Sequence, residues 1–135
     1  MSPSVDEVRG AARTVFARHP GVRVALLFGS LARGAARPDS DIDVAVVGTG
    51  ADLSTCASEL SVQLGREVDV VSLDSDPPVP LVRELLRDAV CVYEAEPGAE
   101  ATLRSRLLWT LETDGPMIDA LARRYLEHLA ARARP

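Results

Sequence analysis

The sequence contains no lysine; all fifteen of its basic residues are arginine. Chemistry that needs a lysine amine is therefore excluded, including Schiff-base formation, the P-loop lysine and the lysyl-AMP intermediate of ligases. A surplus of positive charge is missing too. Twenty acidic residues give a net charge of -5, and a strong grip on DNA or RNA needs the opposite balance, so no direct nucleic-acid binding is expected. There are two cysteines, Cys56 in a helical pattern and Cys91 in a strand pattern, and neither has a Cys or His at ligand spacing. They read as small apolar side chains in a reducing compartment. The N-terminus shows no basic leader with an apolar region, and no apolar run approaches the roughly 20 residues of a membrane span. A cytoplasmic protein without membrane contact is expected. At 135 residues, one domain spanning 1–135 is expected, with room for a single core but not for a separate substrate-binding domain.

The hydrophobic pattern alternates between helix and strand periods. Ser4 to Glu7 forms a capping box ahead of a helix that ends at His19-Pro20-Gly21. Val22 to Phe28 and Asp41 to Val47 read as strands, the second leaving through Gly48-Thr49-Gly50. Leu53 to Leu64 reads as a helix stopped by Gly65, Glu67 to Leu73 as a strand, Val79 to Asp88 as a short helix, and Val90 to Tyr93 as a fourth strand. Beyond Glu96-Pro97-Gly98 the pattern is helical to the end, with Gly115-Pro116 expected to split it into two helices. The expected fold is α/β, a small mixed four-stranded sheet flanked by helices, with a catalytic core over about 1–95 and a C-terminal helical pair over about 98–135. Ile118, Leu121, Ala122, Tyr125, Leu126 and Leu129 fall on one stripe of the last helix. That stripe packs on the sheet or serves as a surface for another protein.

The chemistry concentrates where the first strand runs into Gly29-Ser30 and the next opens with Asp41-Ile42-Asp43. Strand alternation puts Asp41 and Asp43 on one face and Ile42, Val44 and Val46 on the other, so both carboxylates can serve one metal cluster. Asp-x-Asp also occurs at Asp39/Asp41 and Asp74/Asp76; the middle pair stands out because it opens an apolar strand just downstream of the Gly-Ser turn. Gly29 lets the backbone approach a phosphate, Ser30 adds a hydroxyl beside the N–H groups of the turn, and Arg33 offers a fork of donors. Asp69 is the third carboxylate, an acid amid Val68, Val70 and Val71, which costs free energy unless metal or hydrogen bonds satisfy it. Glu67 shares its face and is the alternative.

Gly29-Ser30, ten intervening residues, Asp41-Ile42-Asp43 and a later strand carboxylate at Asp69 resemble the signature of the DNA polymerase β-like nucleotidyltransferase superfamily. The length, the run from Ser30 to Gly34 and the C-terminal helices are similar to its minimal nucleotidyltransferase (MNT) branch, antitoxins paired with helical HEPN toxins. The resemblance implies that Asp41 and Asp43 bind two Mg²⁺ ions. It also implies that Asp69 completes the second metal site, and that a nucleoside monophosphate passes to an acceptor hydroxyl by in-line attack on the α-phosphate. It further implies ATP as donor and a hydroxyl of a HEPN ribonuclease toxin, a tyrosine above all, as acceptor. Two alternatives remain open: a small-molecule enzyme modifying an aminoglycoside-like acceptor, in which a homo-oligomer completes the pocket, and a non-catalytic antitoxin acting by occlusion.

Overall fold

The computed structural model describes residues 2–48, 50 and 52–133. Among these residues the order of elements is α1 (Val5–Phe16), β1 (Val24–Phe28), β2 (Ile42–Val47), α2 (Leu53–Leu64), β3 (Val68–Ser72), α3 (Val79–Asp88), β4 (Val90–Glu94) and α4 (Ala99–Ala133). The strands form one mixed sheet in the order β3-β2-β1-β4. β1 is antiparallel to both β2 and β4, whereas β2 and β3 run parallel and are joined through α2. β1, β2 and β3 are shorter by one or two residues than the sequence reading, which leaves Asp41 and Glu67 just outside β2 and β3, whereas β4 runs one residue further, to Glu94. Thr49, in the expected exit from β2, and the last two residues of the expected C-terminal helix lie outside the described residues.

The Ser4 cap forms as expected: the Glu7 N–H donates to Ser4 Oγ at 3.1 Å and the Ser4 N–H to Glu7 Oε1 at 3.4 Å. Side-chain alternation then divides the interior in two. Ala25, Leu27, Ile42, Val44 and Val46 bury against Val8, Val15 and Phe16 of α1 and Cys56 and Leu60 of α2. Val24, Leu26 and Ala45 face the other way, onto Val82 and Leu85 of α3 and Leu103 and Leu107 of α4. Both faces of the sheet are thus covered, and Asp43, two residues before Ala45, points to the α3 side.

The expected division of the C-terminal helices does not occur. α4 runs unbroken through Pro116. Proline in a helix interior forfeits one backbone hydrogen bond and crowds the preceding turn, at a cost of about 3 kcal/mol. Packing of the half before it, with an ion pair beyond it, offsets that cost. Leu103, Leu107 and Leu111 seat the first half on α3, and Asp119, beyond the proline, accepts from Arg83 of α3 at 2.7 Å. Gly115 acts as a spacer and not as a stop. It is buried, and a Cβ there would lie 3.2 Å from Leu111 Cδ1 and 3.6 Å from Arg83 Nη2. Past it the helix leaves the body: Met117, Ile118, Leu121, Tyr125, Leu126 and Leu129 are all exposed. No helix among the described residues is long and apolar enough to cross a membrane.

Candidate functional site

The site gathers at one end of the sheet, where β1 finishes and β2 and β3 begin. Register places Phe28 opposite Asp43 and Asp43 beside Asp69. Asp41 precedes β2 on the same side. Its approach is fixed from two directions: Arg66 Nη2 donates to the Ser40 carbonyl at 2.7 Å, and the Arg37 N–H donates to Ser40 Oγ at 2.8 Å. The Ile42 N–H donates to the Glu67 carbonyl at 3.0 Å. Glu67 itself is exposed at the strand edge, and it is Asp69 whose charge acts on Asp43.

Gly29 closes β1 with φ at 80°, a left-handed conformation that favours glycine. It is also the point of closest approach in the site: a Cβ at this position would sit 2.5 Å from Asp43 Oδ2. Any other residue would push the Asp43 carboxylate aside. After Gly29 the backbone turns tightly, with the Arg33 N–H donating to the Gly29 carbonyl at 3.2 Å and the Ala35 N–H to the Ser30 carbonyl at 2.8 Å. The N–H groups of Ser30, Leu31 and Ala32 precede the first acceptor pairing of this turn, the arrangement that suits phosphate oxygens.

Electrostatics make the aspartates a set. Asp43 is held above its ordinary carboxylate range, first by partial burial, then by repulsion from Asp69, Asp41 and Glu84, with Arg33 pulling the other way. Asp69, expected to be a costly acid inside an apolar strand, is instead exposed; its significance comes from register with Asp43 and not from desolvation. Glu84, on α3, gives no sign in the sequence. Its Oε1 accepts from Arg33 Nη1 at 3.1 Å, so the guanidinium expected to meet phosphate is anchored to a fourth carboxylate.

Other titratable clusters have structural explanations. Asp74 of the competing Asp74/Asp76 pair accepts from the Gly48 N–H at 3.0 Å. Cys91, Glu94 and Glu100 bring their ligand atoms within 4.8 Å of one another, a closeness that Asp41, Asp43 and Asp69 do not reach. Yet burial and then Glu100 push the Cys91 thiol up to about 11, and Glu100 is committed to Arg104 at 2.8 Å. A hollow of 350 Å³ opens at the far end of the sheet between Arg23, Glu96 and Arg106. Arg23 is paired there with Glu96, and Arg106 with the Leu73 carbonyl.

Residues 12–97 match the family described as Polymerase beta, Nucleotidyltransferase. The chain belongs to this family. This nucleotidyltransferase is 37% identical over 93 residues to the "Putative protein adenylyltransferase MJ0435" of Methanocaldococcus jannaschii, a match covering 66% of the chain and 98% of its relative. It is similar at 36% identity and a TM-score of 0.52 to a solved "putative minimal nucleotidyltransferase", over 65% of this chain and 95% of that one. A chain of the complex of tri-AMPylated Shewanella oneidensis HEPN toxin with MNT antitoxin matches at a TM-score of 0.63. At 17% identity, over 87% of this chain and 98% of that one, this last likeness concerns the fold. The nucleotidyltransferase fold expected from the sequence, a mixed four-stranded sheet flanked by helices, is the one observed.

Proposed function

We propose that this nucleotidyltransferase moves AMP from ATP to a hydroxyl, a tyrosine above all, of a partner protein, a HEPN-type ribonuclease toxin that the modification silences in the cytoplasm. The observation that carries this reading is the convergence of the Gly29 turn, Asp41, Asp43 and Asp69 at one sheet end within a nucleotidyltransferase family. Asp43, repelled by Asp69 and Asp41 with Arg33 pulling the other way, belongs to an oxygen-rich, negatively charged set, and such a set suits hard divalent cations. Asp41, Asp43 and Asp69 would hold two Mg²⁺ ions, which when bound neutralise triphosphate charge and make the acceptor hydroxyl easier to ionise.

The chain's own groups account for the remaining chemistry. The N–H groups opening the turn after Gly29, with the Ser30 hydroxyl, hold phosphate oxygens, and Arg33 adds a cationic donor. The acceptor oxygen attacks the α-phosphorus, the bond to the β-phosphate oxygen breaks, and pyrophosphate leaves. The acceptor proton passes to Asp69, on the outer strand and exposed to an incoming partner. Protein is favoured over small molecule as acceptor because α4 carries an uncovered apolar stripe past the catalytic body. A stripe of this kind is a docking surface for another helical protein. The named similarity to an adenylyltransferase and to a chain of an AMPylated toxin complex points the same way.

The test is intact mass measurement of the protein encoded by the neighbouring gene after incubation with this enzyme, ATP and Mg²⁺. One or more added AMP masses, with loss of ribonuclease activity, is the expected result. AMP on an aminoglycoside instead would establish the small-molecule reading, and silencing without modification would establish occlusion.

A further inference from the structure

Glu84 sits on α3 between buried Val82 and buried Leu85, so packing of that helix fixes where its carboxylate emerges. Its Oε1 accepts from Arg33 Nη1 at 3.1 Å, across 51 residues of sequence. Both side chains remain partly open, 31% for Glu84 and 41% for Arg33. Both also act on Asp43, in opposite senses, so the pair stands beside the aspartates.

We propose that Glu84 is a positioning residue that keeps the Arg33 guanidinium off the aspartates and turned toward the phosphate site. The proposal rests on the reading of those aspartates as cation ligands. A guanidinium next to a carboxylate settles into a two-bond fork when nothing else holds it. Arg33 is the cation whose charge reaches Asp43, and seated on Asp43 it would occupy oxygens that a metal ion needs. Glu84 takes Arg33 through one nitrogen and leaves other N–H donors of the fork for a phosphate. An arginine already held also spares the incoming triphosphate part of the entropy cost of ordering a long side chain.

The test is titration of the nucleotide-free protein with Mn²⁺, followed by calorimetry, in a double-mutant cycle. With Arg33 present, Glu84→Gln is expected to weaken Mn²⁺ binding about 10-fold, because Arg33 then falls onto the aspartates. Loss of one negative charge acts in any background, so the same substitution is repeated in Arg33→Gln, where the drop is expected to be no more than about 2-fold. Equal factors in the two backgrounds overturn the proposal, since the effect then does not pass through Arg33. Glu84→Asp keeps the charge but withdraws it by one methylene, and it is expected to behave as Glu84→Gln does; wild-type affinity in Glu84→Asp overturns the proposal as well. Thermal unfolding of each variant confirms a folded chain. Absence of Mn²⁺ binding by the wild-type protein, with or without a non-hydrolysable ATP analogue, would overturn the cation-ligand reading itself. That failure is distinct from the cycle's.

Discussion

Where β1 ends and β2 and β3 begin, each side chain of interest is held by a near neighbour: Asp43 by Gly29 and Phe28, Asp41 through the Ser40 carbonyl, Arg33 by Glu84. Beyond residue 116, α4 instead carries Met117, Ile118, Leu121, Tyr125, Leu126 and Leu129 into solvent, with the Arg83 to Asp119 pair as its link to α3. The first region is costly because it collects like charges, and the second because it exposes apolar surface. Under the proposed function each cost is relieved by binding, of cations among the carboxylates at one end and of an apolar helical face on the stripe at the other. Chemistry and acceptor recognition are thus expected to separate by region, and mutations can break or sharpen that division.

The largest effect is expected from Asp41→Asn and Asp43→Asn. Each should abolish AMP transfer, measured as modified partner per unit time, and leave the circular dichroism spectrum of the fold intact. Asp69→Asn should slow transfer yet keep most triphosphate binding, measured by nucleotide titration, because its proposed role lies on the acceptor side.

The two halves of α4 should differ sharply in stability. Leu107→Ala removes a side chain that is 1% exposed and should cost about 2–5 kcal/mol in denaturant unfolding. Leu126→Ala, at 64% exposure, should change stability by no more than about 0.5 kcal/mol.

A smaller effect of opposite sign is expected at Asp43. Its folded-state pKa lies above its ordinary value of 3.8, from burial and neighbouring carboxylates. Its contribution to stability is therefore full below that ordinary value and is lost as pH rises through the folded pKa. At neutral pH without divalent cations, Asp43→Asn should raise the melting temperature. The gain should shrink as pH falls toward 3.8, when wild type and variant carry the same charge there. A lower melting temperature at neutral pH would show that Asp43 stabilises the fold.

The smallest effect is expected from Pro116→Ala, which restores a backbone donor in an exposed stretch of α4. Helical circular dichroism should rise slightly with transfer unchanged.

Much of this division was readable in the sequence. Period-two alternation assigned Asp41 and Asp43 to one face and Ile42, Val44 and Val46 to the core, and the Gly-Ser turn stood next to them in the chain. Glu84 was hidden because its link to Arg33 depends on α3 returning over the sheet end, a consequence of topology that no local spacing carries. Arg66 was hidden for the same reason, since it reaches a backbone carbonyl 26 residues away. Gly115-Pro116 misled in the other direction. Locally it signals a break, but packing on α3 outweighs the missing backbone bond, and Gly115 is needed for its lack of a side chain against Leu111 and Arg83.

The central claim, that one region performs the transfer and another recruits the acceptor, is tested most directly by the double variant Leu121→Arg/Tyr125→Arg on the exposed stripe. Its rate of AMP transfer to the partner protein would be compared with its rate to a small tyrosine-containing peptide under the same ATP and Mg²⁺. Loss of transfer to the protein by about 10-fold or more, with the peptide rate unchanged, is the predicted result. Equal rates with the protein acceptor for wild type and variant would contradict the account.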